Sequence, residues 1–373
     1  RISAENWMQD ATWLTDLKLR ADYGVIGNQN GIGRYSGYQT WSYSATGYTT
    51  PGSYSPAGWK LSQNGFTTPL TWEKKKTVDV GLDFRLWDRF YGTMDWYQTN
   101  TDDVAWNAPI SYAMSGQTTL AANSARMRTR GFELELGVDI IKTPNTLWSF
   151  NVNGSTYYTT ILEVPEGTGS AQLNGCWTAP ADAWSIAGTG GTSNNITYLR
   201  GIGKPYYNMY IYKYGGVDPA SGLPLIASTV SSTNIDNLKK TSGNVYGDIV
   251  EGNTVYTTDY TLATRQEFGD ATPDFIGGFG TSLKWKNLDF SAQFAFQIGG
   301  KFLSVADANH YYRSDQTGYY HMSADLKGNT FTASNTGARY PMVILNNPNS
   351  NGYTGGSTIG SWAYTDMVLY SAS

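Results

Sequence analysis

The chain has 373 residues, enough for two average domains or one large all-β unit. Only 15% of them are charged, against 13 Trp, 28 Tyr, 13 Phe and 42 Gly, and the net charge is −4 with the basic residues scattered. That composition argues against a nucleic-acid partner, which needs a basic patch, and no run approaches the ~18 apolar residues of a spanning helix.

Strict alternation, which in a strand sends successive side chains to opposite faces, is the dominant pattern. Near the start, Leu17, Leu19, Ala21 and Tyr23 oppose Asp16, Lys18, Arg20 and Asp22. From Thr77, the residues Val78, Val80, Leu82, Phe84 and Leu86 oppose Asp79, Gly81, Asp83 and Arg85. The turn Trp87-Asp88-Arg89-Phe90 leads into a third strand, near Tyr91 to Thr99. From Gly131, the residues Phe132, Leu134, Leu136, Val138 and Ile140 oppose Glu133, Glu135 and Asp139. A turn around Pro144-Asn145 then leads into a fifth strand, Leu147 to Tyr158. Phe275 to Trp285 turns through Lys286-Asn287 into Leu288 to Ile298, where Phe290, Phe294 and Phe296 oppose Asp289, Gln293 and Gln297. An eighth strand is expected from Tyr364 to Ser373.

Two structures bury such strands: a soluble sandwich with a dry interior, or a membrane barrel with an apolar outside. Every second connection is a tight turn. The others are long: Gly24 to Thr71, Asn100 to Asn123, Thr159 to Pro273 and Gly299 to Ala363. Short turns at one end and long loops at the other mark an outer-membrane barrel, with turns periplasmic and loops extracellular. Trp13, Tyr23, Trp72, Trp87, Tyr91, Trp148 and Trp285 at strand ends suit the two interfacial girdles. The expected fold is therefore all-β, an antiparallel transmembrane β-barrel segment. A soluble or surface-attached β-sandwich that binds or hydrolyses glycans is the alternative.

Several local motifs resemble one family. Trp13-Leu14, Leu17-Lys18-Leu19-Arg20, Tyr23-Gly24 and Gly27-Asn28-Gln29 resemble a strand and loop of the SusC/RagA-type TonB-dependent outer-membrane transporters of Bacteroidetes. So do Leu70, Trp72-Glu73, Gly81-Leu82-Asp83, Arg89, Gly92, Asp95, Tyr97, Thr101 and Asp102 in the next hairpin. Asn123, Met127, Gly131 and Glu133, then Gly216-Val217-Asp218-Pro219 with Gly222 and Pro224, continue the series. Gly269-Asp270, Pro273, Gly277-Gly278-Phe279 and Thr365-Asp366-Met367 complete it in the same order.

The resemblance implies that residues 1–373 form the C-terminal portion of a barrel of about 22 strands, with the plug domain and N-terminal strands outside this chain. It further implies active import of oligosaccharides or peptides across the outer membrane, energised by the TonB complex through the plug. A SusD-like lipoprotein would sit on the loops as a hinged lid, outer-membrane lipid would surround the barrel, and a dimer of SusC–SusD pairs is left open. The chemistry implied is binding and gating, without bond breaking and without a cofactor.

Candidate contacts lie in the loops. Tyr35, Tyr38, Trp41, Tyr43 and Trp59 stand amid Gly, Ser and Thr, where aromatic faces and hydroxyls suit a sugar ring, a protein lid or the loop's own packing. Asp102, Asp103 and Trp106 follow the third strand as a second candidate, with a solvated turn as the plainer reading. Asp79, Asp83, Arg85, Glu133, Glu135 and Asp139 are expected to face the lumen. Glu133 and Glu135 stand about 7 Å apart by strand rise, a glycosidase-like spacing, and read better as lumen lining. His310 and His321 match no zinc spacing, so no metal is assigned. Cys176 is the single cysteine and allows no internal disulfide.

Overall fold

The structure is a computed structural model that describes residues 1–8, 10–29, 41–44, 58–61, 70–109, 119–165, 177–180, 197–241, 245–312, 323–343 and 365–371. Its main element is a seven-stranded antiparallel sheet of β1 (Leu14–Asn28), β2 (Glu73–Leu86), β3 (Phe90–Pro109), β4 (Thr119–Thr143), β5 (Thr146–Glu163), β6 (Phe275–Trp285) and β7 (Leu288–Ile298). Each strand pairs with its predecessor, an up-and-down order.

The register carries the sequence alternation across all seven strands. One row runs Leu19, Leu82, Met94, Leu134, Gly154, Gly277 and Phe296. The adjacent row, on the opposite face, runs Lys18, Asp83, Thr93, Glu135, Asn153, Gly278 and Ala295. On the apolar face Leu19 is 57% exposed, Phe290 61% and Phe294 56%. A contiguous apolar surface of this extent is not tolerated in water. A sandwich would cover it with a second sheet, whereas a membrane barrel turns it to lipid.

Tight turns join β2 to β3, β4 to β5 and β6 to β7 at one end. Trp87 and Asp88 have φ of 51° and 55°, two left-handed residues in the three-residue turn between Leu86 and Phe90. Neither is glycine, and the turn is held instead by Asp88, which accepts from Lys142 Nζ at 2.7 Å and Arg85 Nε at 3.1 Å.

At the other end the strands outrun the alternation. The segment expected as a loop from Asn100 to Asn123 is largely strand, because β3 continues to Pro109 and β4 begins at Thr119. A bulge between Thr101 and Val104, with Asp103 at φ 58°, inserts one residue and exchanges the faces of everything beyond it. The period-2 pattern therefore breaks while the ladder does not.

The long insert between β5 and β6 and the segment after β7 fold together. Ile211 and Ile226 from the first pack with Leu303, Ala308, Leu326, Tyr340 and Val368 from the second in one dry core. Beside it, Val230, Val255 and Leu238, the last on the helix Ile235–Lys240, form a smaller one. The eighth strand also belongs here. Asp366–Val368 is a 3-10 turn and Leu369–Ser371 pairs with Lys301–Leu303 in a two-stranded sheet, so this segment closes the loop cluster and does not extend the seven-stranded sheet.

Candidate functional site

The polar face of the sheet brings the expected lumen residues together. Asp79, Asp83, Arg85, Glu133, Glu135 and Asp139 share that face by register, and the structure adds Arg20 and Asp95. Arg20 of β1 donates through Nε to Asp83 at 3.0 Å and through Nη2 to Asp95 at 2.8 Å, so one guanidinium ties three strands. Gly81 lies between them in the same row, and a Cβ there would come within 2.1 Å of Asp95 Oδ1 and 2.7 Å of Arg20 Nη2. Its missing side chain is what lets the bridge cross. Arg85 lies over the Tyr91 ring at 5.4 Å and reaches Asp139 at 3.7 Å, where Ser149 also donates at 2.8 Å.

Glu133 and Glu135 differ from these. Among the described residues neither has an ion-pair partner. They line a cavity of about 690 Å³ with Thr93, Asp95, Asn151, Asn153, Ser155 and Gln293. This arrangement offers hydrogen-bond acceptors and negative charge to a group approaching from the polar side. Leu134, Ile276, Phe279 and Phe294 complete a lining of mixed character, and among the described residues no nucleophile and base are placed against each other there.

The loop candidates divide. Tyr35 and Tyr38 lie outside the described residues, and so does His321. Trp41 and Tyr43 lie on a short strand, Trp41–Ser44, paired with Gly58–Leu61, in which Tyr43 stands opposite Trp59. Asp102 and Asp103 occupy the bulge inside β3 instead of a turn after it. Asp102 accepts from Arg126 at 2.9 Å and pairs with Lys76 at 2.7 Å, while Asp103 pairs with Lys74 at 2.8 Å. Trp106 is buried at 6% exposure, edge-on to Tyr206, in a core with Val104, Ala125 and Ile161. The bulge turns it inward, so it does not stand in a loop as a ready contact.

The Gly216-Val217-Asp218-Pro219 motif has a structural role. Asp218 accepts from Ser221 Oγ, from the Tyr246 hydroxyl and from the backbone of Ala220 at 3.1 Å. Burial alone would raise its pKa, and these donors overcome that and hold the carboxyl below its usual range. Gly222, at φ 73°, closes the turn against Phe331 and Met342, where a Cβ would be 2.4 Å from the Phe331 ring.

Sequence reading missed Arg20 and Asp95 as a site. Alternation put Arg20 on the polar face, but a pair spanning β1 and β3 emerges only from register.

Comparison with known proteins agrees with this geometry. A family profile described as TonB dependent receptor-like, beta-barrel matches residues 6–218. TonB-dependent receptor P3 of Formosa agariphila is 27% identical over 304 residues, covering 81% of this chain and 28% of that protein. TonB-dependent receptor SusC of Bacteroides thetaiotaomicron is 24% identical over 293 residues, covering 78% of this chain and 26% of that protein. Among solved structures, the RagAB peptide transporter superposes with a TM-score of 0.65 at 22% identity, over 98% of this chain and 34% of that one. This chain thus spans about a third or less of the length of each of these relatives. Because the profile covers more than half of the residues and the sheet has the two-faced register of a membrane barrel, the chain belongs to the TonB dependent receptor-like β-barrel family.

Proposed function

We propose that residues 1–373 form the C-terminal part of the barrel wall of an outer-membrane importer, which takes up oligosaccharides or peptides with a SusD-like lipoprotein and is energised through TonB. The observation that carries this reading is the two-faced sheet. Exposed Leu19, Phe290 and Phe294 on one side call for lipid, and the acidic and amide residues on the other call for a wet, enclosed lumen. The named relatives, a SusC and a peptide transporter, support import over passive diffusion. The folded loop cluster supports a surface partner, since it offers an ordered platform at the loop end of the sheet. The chain's part in this is to enclose and to bind, not to break bonds.

The test is fractionation of cells expressing the full-length protein, followed by uptake of a labelled peptide mixture and a labelled oligosaccharide mixture. The reading expects the protein in the outer membrane with a lipoprotein co-purifying, and uptake of one mixture that stops on deletion of TonB. Recovery as a soluble protein, or uptake unchanged without TonB, would overturn it.

A further inference from the structure

The outward face changes character abruptly near its loop end. The cross-strand row of Tyr23, Val78, Gln98, Arg130 and Tyr158 contains two exposed tyrosines, Tyr23 at 69% and Tyr158 at 48%. Aromatics placed in this way mark the membrane–water boundary. Lys76 in β2 lies ten residues from the hairpin at Leu86, and at an ordinary barrel tilt that is about 25 Å along the axis, the height of the apolar band.

At and above that boundary the same outward positions turn cationic. Lys76, Asn100 and Arg128 form the next outward row, and Lys74 and Asp102 the one beyond, where Arg126 joins Asp102. Asp102, Asp103 and Glu163 are the carboxylates in reach, and they engage Lys74, Lys76 and Arg126. Arg128 and Arg130 are left to neutral partners. Arg128 Nε donates to Asn100 at 3.0 Å and Arg130 Nε to Gln98 at 2.8 Å, and among the described residues no carboxylate pairs with either. The amide acceptors engage each guanidinium fork through its Nε. A fork held in this way suits bidentate binding of a phosphate oxygen pair.

We propose that Arg128 and Arg130, supported by Lys76, form a docking surface for the phosphate groups of the glycolipid that makes up the outer leaflet of the membrane. Continuity decides the occupant. The cations stand on the lipid-facing side, directly above the exposed apolar residues, where the acyl chains of the same molecule would lie. The apolar belt fixes the height of the barrel, and the arginine pair fixes the lipid beside β3 and β4.

The inference rests on the membrane reading of the apolar face, so the experiment separates the two. The full-length protein is extracted from outer membranes and titrated in detergent with bisphosphorylated lipid A and with dephosphorylated lipid A, bound lipid being read by native mass spectrometry. The parent should prefer the phosphorylated form. Arg128→Gln with Arg130→Gln should weaken it by about 30-fold, the ordinary contribution of two interfacial cations. Arg128→Lys with Arg130→Lys, which keeps the charge and removes the fork, should recover only part of that loss, and Lys239→Gln with Lys240→Gln, on the loop-cluster helix, should leave it unchanged. Inorganic phosphate at millimolar concentration should not displace the lipid. Equal binding of the two lipids, or full retention by the Gln pair, overturns the proposal while the protein still fractionates with the membrane. Loss of lipoprotein binding instead, with lipid A binding unchanged, would assign the surface to the protein partner and overturn it equally. If the parent does not fractionate with the membrane, both readings fall together.

Discussion

The sheet and the loop cluster are built from one chain for two solvents. In the cluster a core of apolar side chains is hidden, with Leu238 and Val255 at 0% exposure and Tyr340 at 1%. In the sheet they are displayed, with Phe294 at 56% and Leu288 at 65%, and the polar side chains face inward to ion-pair. Hydrophobic burial therefore holds the cluster together by itself, while the sheet depends on lipid to cover its outer face and on closure to satisfy its edges. Each region would be unstable in the other's surroundings.

The comparison can be broken at its strongest point first. Leu238→Ala empties a fully buried site in the core it shares with Val230 and Val255 and should cost the cluster about 2–5 kcal/mol. Limited proteolysis should then cut within the cluster while the β-sheet signal in the membrane persists. If the sheet unfolds as well, the two regions are one cooperative unit and the division is wrong. Phe294→Arg asks the converse question. A charge on the lipid face should cost about 2–4 kcal/mol if the site lies at mid-bilayer, read as a loss of folded barrel on refolding into bilayers of graded thickness. A variant that refolds as well as the parent would show that the face does not meet lipid.

How much of this was legible in the sequence follows from the same division. The sheet could be read because lipid and lumen impose alternation on every strand: the β6–β7 hairpin, Phe275 to Ile298, has the bounds its pattern announces. The pattern failed where the chain leaves the bilayer, since the bulge at Asp103 exchanges faces and Trp106 passes from apparent loop residue to core. The cluster could not be read at all, because its core joins residues as distant as Ile226 and Val368 and no local period records such a contact. The same holds for Tyr364 to Ser373, whose residues suggest a last barrel strand but of which Leu369–Ser371 pairs with Lys301–Leu303. On the polar face, side-chain direction was legible and partnership was not. Asp83 could be placed in the lumen, but Arg20 could not be assigned to it without the register.

Gly81→Ala tests that partnership more gently. The added methyl group would collide with Asp95 and Arg20 and must push the guanidinium off one of its two carboxylates. Overpacking of this kind costs about 1–3 kcal/mol. The expected result is a lower unfolding temperature of the barrel with the cluster unaffected, and an added Asp95→Ala, which frees the space, should recover part of the loss. No recovery would mean that the glycine serves the backbone and not the bridge.

The smallest effect separates the two regions by pH. Asp366 closes the cluster by accepting from the Tyr214 backbone N–H at 2.7 Å, and burial pushes its carboxyl above the usual value of 3.8, outweighing that hydrogen bond. Glu267, in the same cluster, is shifted the other way. Burial would raise it, but the ammonium of Lys204 at 2.8 Å and the amide of Asn208 hold it below 4.5. A raised carboxyl favours the folded state most when protonated, so the contribution of Asp366 is complete below pH 3.8 and is lost as pH rises through its folded value. The contribution of Glu267 is present above 4.5 and is lost as pH falls through its lowered value. Asp366→Asn keeps the acceptor for Tyr214 without the buried charge. It should therefore raise the melting temperature of the cluster slightly at pH 7 and lose that advantage on acidification below pH 4, whereas Glu267→Gln should be slightly destabilising at pH 7 and neutral in acid. Both shifts should appear in a near-ultraviolet signal from the cluster and leave the membrane sheet unmoved. A gain for Asp366→Asn that persists in acid would show that packing, not the buried charge, sets the stability of the cluster.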